Sequence, residues 1–189
     1  FMTGWYSHVR GHRTMFHMLR NDEPFLLKIL KDNGYFVWWG GKNDAVPGQN
    51  NPEIYCNYKY FPSKKVKPMY MGDKKDKWRG EKGSDTYYSF YVGKIDKGEE
   101  EVYYDADWDN VYAAIEFIKK RPKDKPFCLF LALTYPHPPY AVEEPWYSLI
   151  DRKKIPERIP APKNWEDLPS ILKGIYENQN LKTWDENRW

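Results

Sequence analysis

The stretch Gly34-Tyr35-Phe36-Val37-Trp38-Trp39-Gly40-Gly41-Lys42-Asn43-Asp44 decides the fold. Tyr35 to Trp39 are aromatic or β-branched without a break, the composition of a strand covered on both faces rather than one with a wet side. Gly40-Gly41 then frees the backbone to turn sharply or to approach a ligand closely. Upstream, Asn21 or Asp22 can cap a helix with Pro24 in its first turn, and Leu26, Ile29 and Leu30 supply an i, i+3, i+4 apolar stripe that Gly34 ends at C′. The order is helix and then buried strand. It recurs downstream, where Val111, Ala114, Ile115 and Ile118 hold helical spacing, Lys119, Lys120 and Arg121 suit a helix C-terminus, and Pro122 stops it. An apolar strand from Pro126 to Thr134 follows. Amphipathic helices that each precede a continuously apolar strand predict an α/β class, with a mostly parallel sheet flanked by helices.

The remainder is irregular. A Pro- and Lys-rich stretch runs from Asn50 to Lys82, and Tyr87 to Val92 with Glu101 to Tyr104 reads as a β-hairpin turning at Lys97-Gly98. Beyond Pro136 the chain is punctuated by proline, with one short helix expected near Ser170 to Tyr176. Four segments result: a helix-strand unit (1–49), a basic loop and hairpin insertion (50–104), a second helix-strand unit (105–140) and a Pro-rich irregular tail (141–189). Composition bounds the rest. With 30 Lys+Arg against 27 Asp+Glu among 189 residues, the formal charge is +3, too balanced to mark a nucleic-acid binder. The apolar share of 41% excludes wholesale disorder, and aromatic residues at 18% with 15 prolines predict long loops packed by rings. The longest apolar run, Phe127 to Leu133, is too short to span a bilayer, and no leader-like segment is evident. A soluble chain with no membrane partner is expected. Two cysteines, Cys56 and Cys128, lie outside any CxxC spacing and build no disulfide framework, which favours a reducing, cytoplasmic compartment.

In α/β sheets ligands bind beyond the carboxyl ends of the strands, and both apolar strands end in chemically loaded loops. The first delivers Lys42, a point charge suited to a sulfate or phosphate oxygen. The second delivers His137 between Pro136 and Pro138-Pro139, a rigid presentation of an imidazole for proton transfer or anion contact. If the two form one site, they belong at the same edge of one sheet.

These residues carry a resemblance. Phe1-Met2-Thr3-Gly4-Trp5-Tyr6 resembles the end of the sulfatase signature, in which Cys-x-Pro-Ser-Arg runs into Thr-Gly. Gly34-Tyr35 through Gly41-Lys42 resembles the second sulfatase signature, and the strand entering Pro136-His137-Pro138-Pro139-Tyr140 resembles the sulfatase segment whose histidine contacts the substrate sulfate. The three occur in the family's order and span most of the chain. What the resemblance implies is an alkaline-phosphatase-like α/β fold, of which residues 1–189 are one internal catalytic-domain fragment, and hydrolysis of sulfate esters, as small molecules or sulfated sugars. In that family a cysteine-derived formylglycine attacks sulfur beside a divalent cation, usually calcium. By the same matching Lys42 and His137 are catalytic, sulfate-contacting residues. Asp44, a further substrate-binding candidate, stands where the family commonly has histidine, and beside a sulfate it would repel unless paired, with Lys42 as the partner at hand. The resemblance puts the nucleophile and its paired aspartates before Phe1 and the remaining metal ligands after Trp189, so no metal site is expected here and the fragment alone is expected to be inert. A phosphodiesterase or phosphonate monoester hydrolase of the same superfamily is the close alternative, and a polyanion-binding module is the distant one.

Three other patterns admit function. Asp105-x-Asp107-x-Asp109-Asn110 with Glu116 has EF-hand spacing, but acidic residues are also favourable at a helix N-terminus without metal. His8, His12 and His17 among Arg10, Arg13 and Arg20 have no carboxylate at ligand spacing and read as a satisfied surface cluster. Residues 63–82 carry eight basic residues interleaved with Tyr70 and Trp78, which reads first as a solvated insertion and otherwise as a strip for a sulfated sugar or a nucleic-acid strand.

Overall fold

The computed structural model describes residues 1–12, 14, 16–48, 52–70 and 91–184, which divide into two compact units, 1–69 with 100–137 and 70–99 with 138–189. The first holds helix α1 (Leu26–Asp32), strand β1 (Phe36–Gly41), a 3-10 turn (Pro52–Ile54) and strand β2 (Tyr58–Lys59). Helix α2 (Ala106–Lys120) and strand β4 (Phe127–Ala132) complete it, the intervening strand β3 (Tyr91–Lys94) belonging to the second unit. The three strands form one parallel sheet in the order β2-β1-β4, as the helix-before-strand pattern requires. The register pairs Phe36 with Phe127 and Gly41 with Ala132, so β1 and β4 end level with each other.

Each face of β1 is covered by a different layer. Val37 and Trp39 join Phe25, Leu27, Val46, Tyr55 and Cys56 in a fully buried cluster, with Cys128 and Phe130 of β4 packed against it. On the opposite face Phe36 and Trp38 stack on Phe117 of α2, centroids 5.6 and 5.8 Å apart, and Phe127 meets the same ring edge-on at 5.7 Å. Offset and edge-on ring pairs of this kind stabilise beyond the area they bury. Both cysteines are free thiols, with Cys56 inside the core and burial pushing both thiols up.

Several sequence expectations are corrected. Helix α1 starts after Phe25, not after Asn21 or Asp22. Asn21 instead accepts the Tyr55 hydroxyl, and no side chain caps the helix. Its buried residue is Leu27, while Leu26 and Ile29 are exposed; the chain enters the helix over the buried Phe25 ring, which rotates the inward face by about one position. Gly34 does follow the helix at φ +86, where only glycine is unstrained. Helix α2 begins at Ala106, five residues before the apolar stripe, and its inward residues are Asp107, Asn110 and Ala114, with Phe117 on the same line. Ile115 and Ile118 of the expected stripe are exposed. Polar inward residues at 107 and 110 hid this face from a hydrophobic count.

The second unit contains strand β3 (Tyr91–Lys94), strand β5 (Tyr140–Val142), the one-turn helix α3 (Trp146–Leu149) and helix α4 (Ser170–Asn178). The expected hairpin is not formed as drawn, for β3 pairs with β5 in parallel and Glu101 to Tyr104 is no strand; residues 87–90 lie outside the described residues. Helix α4 falls where a short helix was expected, and residues 151–164 are exposed throughout, as a proline-punctuated tail should be. Among the described residues no helix is long and apolar enough to cross a membrane.

Candidate functional site

Lys42 leaves β1 between two pinned neighbours. Gly41 has φ +82, and a Cβ there would lie 2.0 Å from the Ala132 carbonyl oxygen, so only glycine lets β1 and β4 stay this close. The Lys42 amide donates to that same oxygen at 2.7 Å. On the other side Asn43 is buried: its side-chain oxygen accepts the Ala45 and Val46 amides, its Nδ2 donates to the Val46 carbonyl, and Val46 sits in the core. This Asx turn fixes the path after Lys42. The half-exposed Lys42 ammonium pairs with Asp44 at 2.7 Å. One of its three donors is thereby engaged, and the pair answers how an aspartate stands beside a cation-bearing loop.

Lys59, unnoticed in the sequence because it falls outside the basic run, is the one buried lysine among the described residues. Its ammonium lies 4.6 Å from the Trp39 ring centroid and donates to the Gly41 carbonyl, with no carboxylate at ion-pair distance among the described residues. Burial pulls it down from 10.5 to about 8. A buried ammonium behind the Gly41-Lys42 bond costs stability relative to an apolar side chain in the same place.

His137 is exposed and lies five residues beyond Ala132, at the same sheet edge as Lys42. Its amide donates to the Thr134 carbonyl at 2.9 Å, which closes the turn carrying it. Both oxygens of Asp107, buried on α2, accept the Thr134 amide at 3.0 and 2.8 Å, and one also accepts the Tyr135 amide at 2.8 Å. The structure thus brings Lys42, Asp44 and His137 to adjacent ends of two parallel strands.

The other patterns resolve into structural contacts. Asp105 caps α2 by accepting the Asp107 and Trp108 amides. Asp109 accepts the Tyr60 hydroxyl at 2.7 Å, the Ser63 amide at 2.9 Å and the Tyr104 hydroxyl; these bonds lower the carboxyl, burial followed by the Asp109 bond pushes the Tyr60 phenol up to about 12, and the Asp109 bond followed by burial pushes the Tyr104 phenol up to about 12. The aspartates diverge rather than converge, against EF-hand geometry. Among the described residues no group of three or more His, Cys, Asp or Glu could hold a metal ion, so the residues present do not fit a calcium site. His12 does have a carboxylate after all, Glu23 at 2.8 Å, which raises the imidazole, while His17 meets Thr14 and His8 stacks on Tyr6. Of the basic strip, residues 71–82 lie outside the described residues, and Lys67 pairs with Glu100.

A family model, Sulfatase, matches residues 1–158. The chain belongs to the sulfatase family. No curated protein matches it. The match takes in the first unit entirely, so the parallel sheet and its flanking helices lie within the matched residues. The sequence nominates Lys42, Asp44 and His137 because they are contiguous with glycine and proline signals; it gives no sign of the contacts made by Asn43, Lys59 and Asp107, which depend on pairing between elements. The Asp-rich helix start was visible, but nothing in the spacing said which backbone each carboxylate would meet.

Proposed function

We propose that the protein to which this chain contributes hydrolyses sulfate esters, small molecules or sulfated sugars, with Lys42 and His137 contacting the sulfate. The observation that carries this reading is the level ending of β1 and β4, with Lys42 immediately after the one and His137 in the turn after the other, within a chain matched to the sulfatase family. In the proposed site the Lys42 ammonium offers its remaining donors to a sulfate oxygen, where negative charge grows as the ester bond breaks, and its fixed backbone means little reorganisation at that moment. His137, also backbone-fixed, donates to a second oxygen or to the leaving group's oxygen. Asp44 serves by orienting Lys42 rather than by touching substrate, since carboxylate and sulfate repel. A formylglycine nucleophile and a divalent cation, calcium first, belong to the proposal as groups supplied from outside the described residues, and the chain by itself is proposed to be inactive.

The test is turnover by the full-length protein on matched aryl esters. Aryl sulfate cleaved at least about a hundredfold faster than a bis-aryl phosphate or an aryl phosphonate is the expected result, a margin of about 2.7 kcal/mol in transition-state binding. Preference for the phosphorus esters would move the reading to the phosphodiesterase branch. No turnover, with salt-sensitive retention of a sulfated polysaccharide, would replace it by a binding module.

A further inference from the structure

The Asp105, Asp107 and Asp109 spacing looks like one cation loop in sequence, yet each carboxylate is spent on a different protein partner. Asp107 differs from the other two in what it holds. Asp105 caps its own helix and also meets the Tyr135 side chain, and Asp109 fastens Tyr60, Ser63 and Tyr104, whereas Asp107 takes the backbone amides at the end of β4, in the turn that carries His137. From Thr134 to Pro139 three of six residues are proline and have no N–H, so the turn owns only the amides of Thr134, Tyr135 and His137. Thr134 and Tyr135 donate to Asp107, and His137 donates to Thr134. Every backbone donor of the segment is therefore accounted for, and two of the three end on one buried carboxylate. Asp107 is 8% exposed, so little water competes for these bonds, and charge-assisted bonds to a buried acceptor hold geometry more tightly than neutral ones. Asn110, one helical turn further on, lies 3.0 Å from where a Cβ on Gly40 would stand. The first two turns of α2 thus abut the ends of both strands that carry the site.

We propose that Asp107 is a positioning residue for His137, setting through the Thr134 and Tyr135 amides where the imidazole stands at the sheet edge. The way His137 is held follows from the structure alone; only the consequence for turnover rests on the sulfatase reading. Asp107 touches no substrate. Its loss should misplace the imidazole rather than remove a contact, and a displacement on the ångström scale costs up to about a hundredfold in rate.

The experiment compares Asp107→Ala and Asp107→Asn with the parent in the full-length protein, reading amide hydrogen exchange and steady-state kinetics together. Asn keeps one acceptor oxygen, so a fold is retained should Ala fail. Expected are exchange faster by about tenfold or more at Thr134, Tyr135 and His137 with Val37 to Trp39 unchanged, and kcat on aryl sulfate lower by about ten- to a hundredfold at nearly constant KM. In a His137→Ala background the same change at 107 should lower kcat no further. Unchanged exchange at the three amides, exchange raised equally in β1, or losses that multiply in the double variant would each overturn the proposal. Exchange that responds as expected while His137→Ala keeps parental turnover would retain Asp107 as the holder of the turn and remove the sulfatase role of His137.

Discussion

Lys42 leaves β1 between neighbours pinned on either side, Gly41 against the Ala132 carbonyl and Asn43 around Val46, whereas His137 stands five residues past β4 and is tied down by a carboxylate on another element. The first end depends on close backbone packing, and the second on hydrogen bonds from a proline-depleted set of donors. A strand end fixed by packing is intolerant of any added atom, while one fixed by a carboxylate is sensitive to charge and to its acceptor count. The two ends should therefore break in different ways.

The largest effect belongs to the packed end. Gly41→Ala places a methyl 2.0 Å from the Ala132 oxygen at φ +82, so β1 and β4 must separate. Strain and overpacking together should cost at least about 3 kcal/mol, read as a lower denaturation midpoint in urea. A variant as stable as the parent would mean that the strands are not in contact there. Next comes the layer beneath. Phe117→Ala, which removes the ring stacked on Phe36 and Trp38, should cost about 2–4 kcal/mol, whereas Ile115→Ala and Ile118→Ala should each cost about 1 kcal/mol or less by thermal melts. The reverse ranking would restore the stripe read from the sequence.

That reversal marks where the sequence was legible. Long apolar runs announced β1 and β4 and their parallel pairing, because covering both faces of a strand leaves little room for polar residues. The inward face of α2 was misread since Asp107 and Asn110 point inward to serve backbone groups, which a count of apolar spacing scores as solvent. The hairpin failed for a related reason: β3 finds its partner in Tyr140–Val142, far along the chain, and local turn chemistry carries no information about that pairing. Lys42 and His137 were readable from flanking glycine and proline, while their supports were not, because Lys59 and Asp107 acquire meaning only when strands align.

A smaller effect belongs to Lys59, whose ammonium donates to the Gly41 carbonyl at the packed end. Burial holds the Lys59 ammonium at about 8 against 10.5 in the unfolded chain, so between these values the unfolded state binds more protons than the folded one. Folding stability should then rise as pH climbs from 8 to 10.5, the penalty for a buried cation being present in full below 8 and gone above 10.5. Lys59→Met should lack that share of the rise. Urea titrations at pH 7, 8, 9 and 10 measure it, and parallel curves for parent and variant would show that the lysine is solvated rather than buried.

If one sheet edge holds the sulfate between Lys42 and His137, kinetics of single variants in the full-length protein will register the loss of either side chain. Lys42→Ala and His137→Ala should each lower kcat on an aryl sulfate at saturating substrate by about a hundredfold, the usual loss for one preorganised donor, while Lys64→Ala on the exposed loop stays within a factor of a few. Parental kcat in Lys42→Ala, with only a salt-sensitive rise in KM, would contradict that placement, because a lysine that merely attracts an anion from solution has no part in the transferring step.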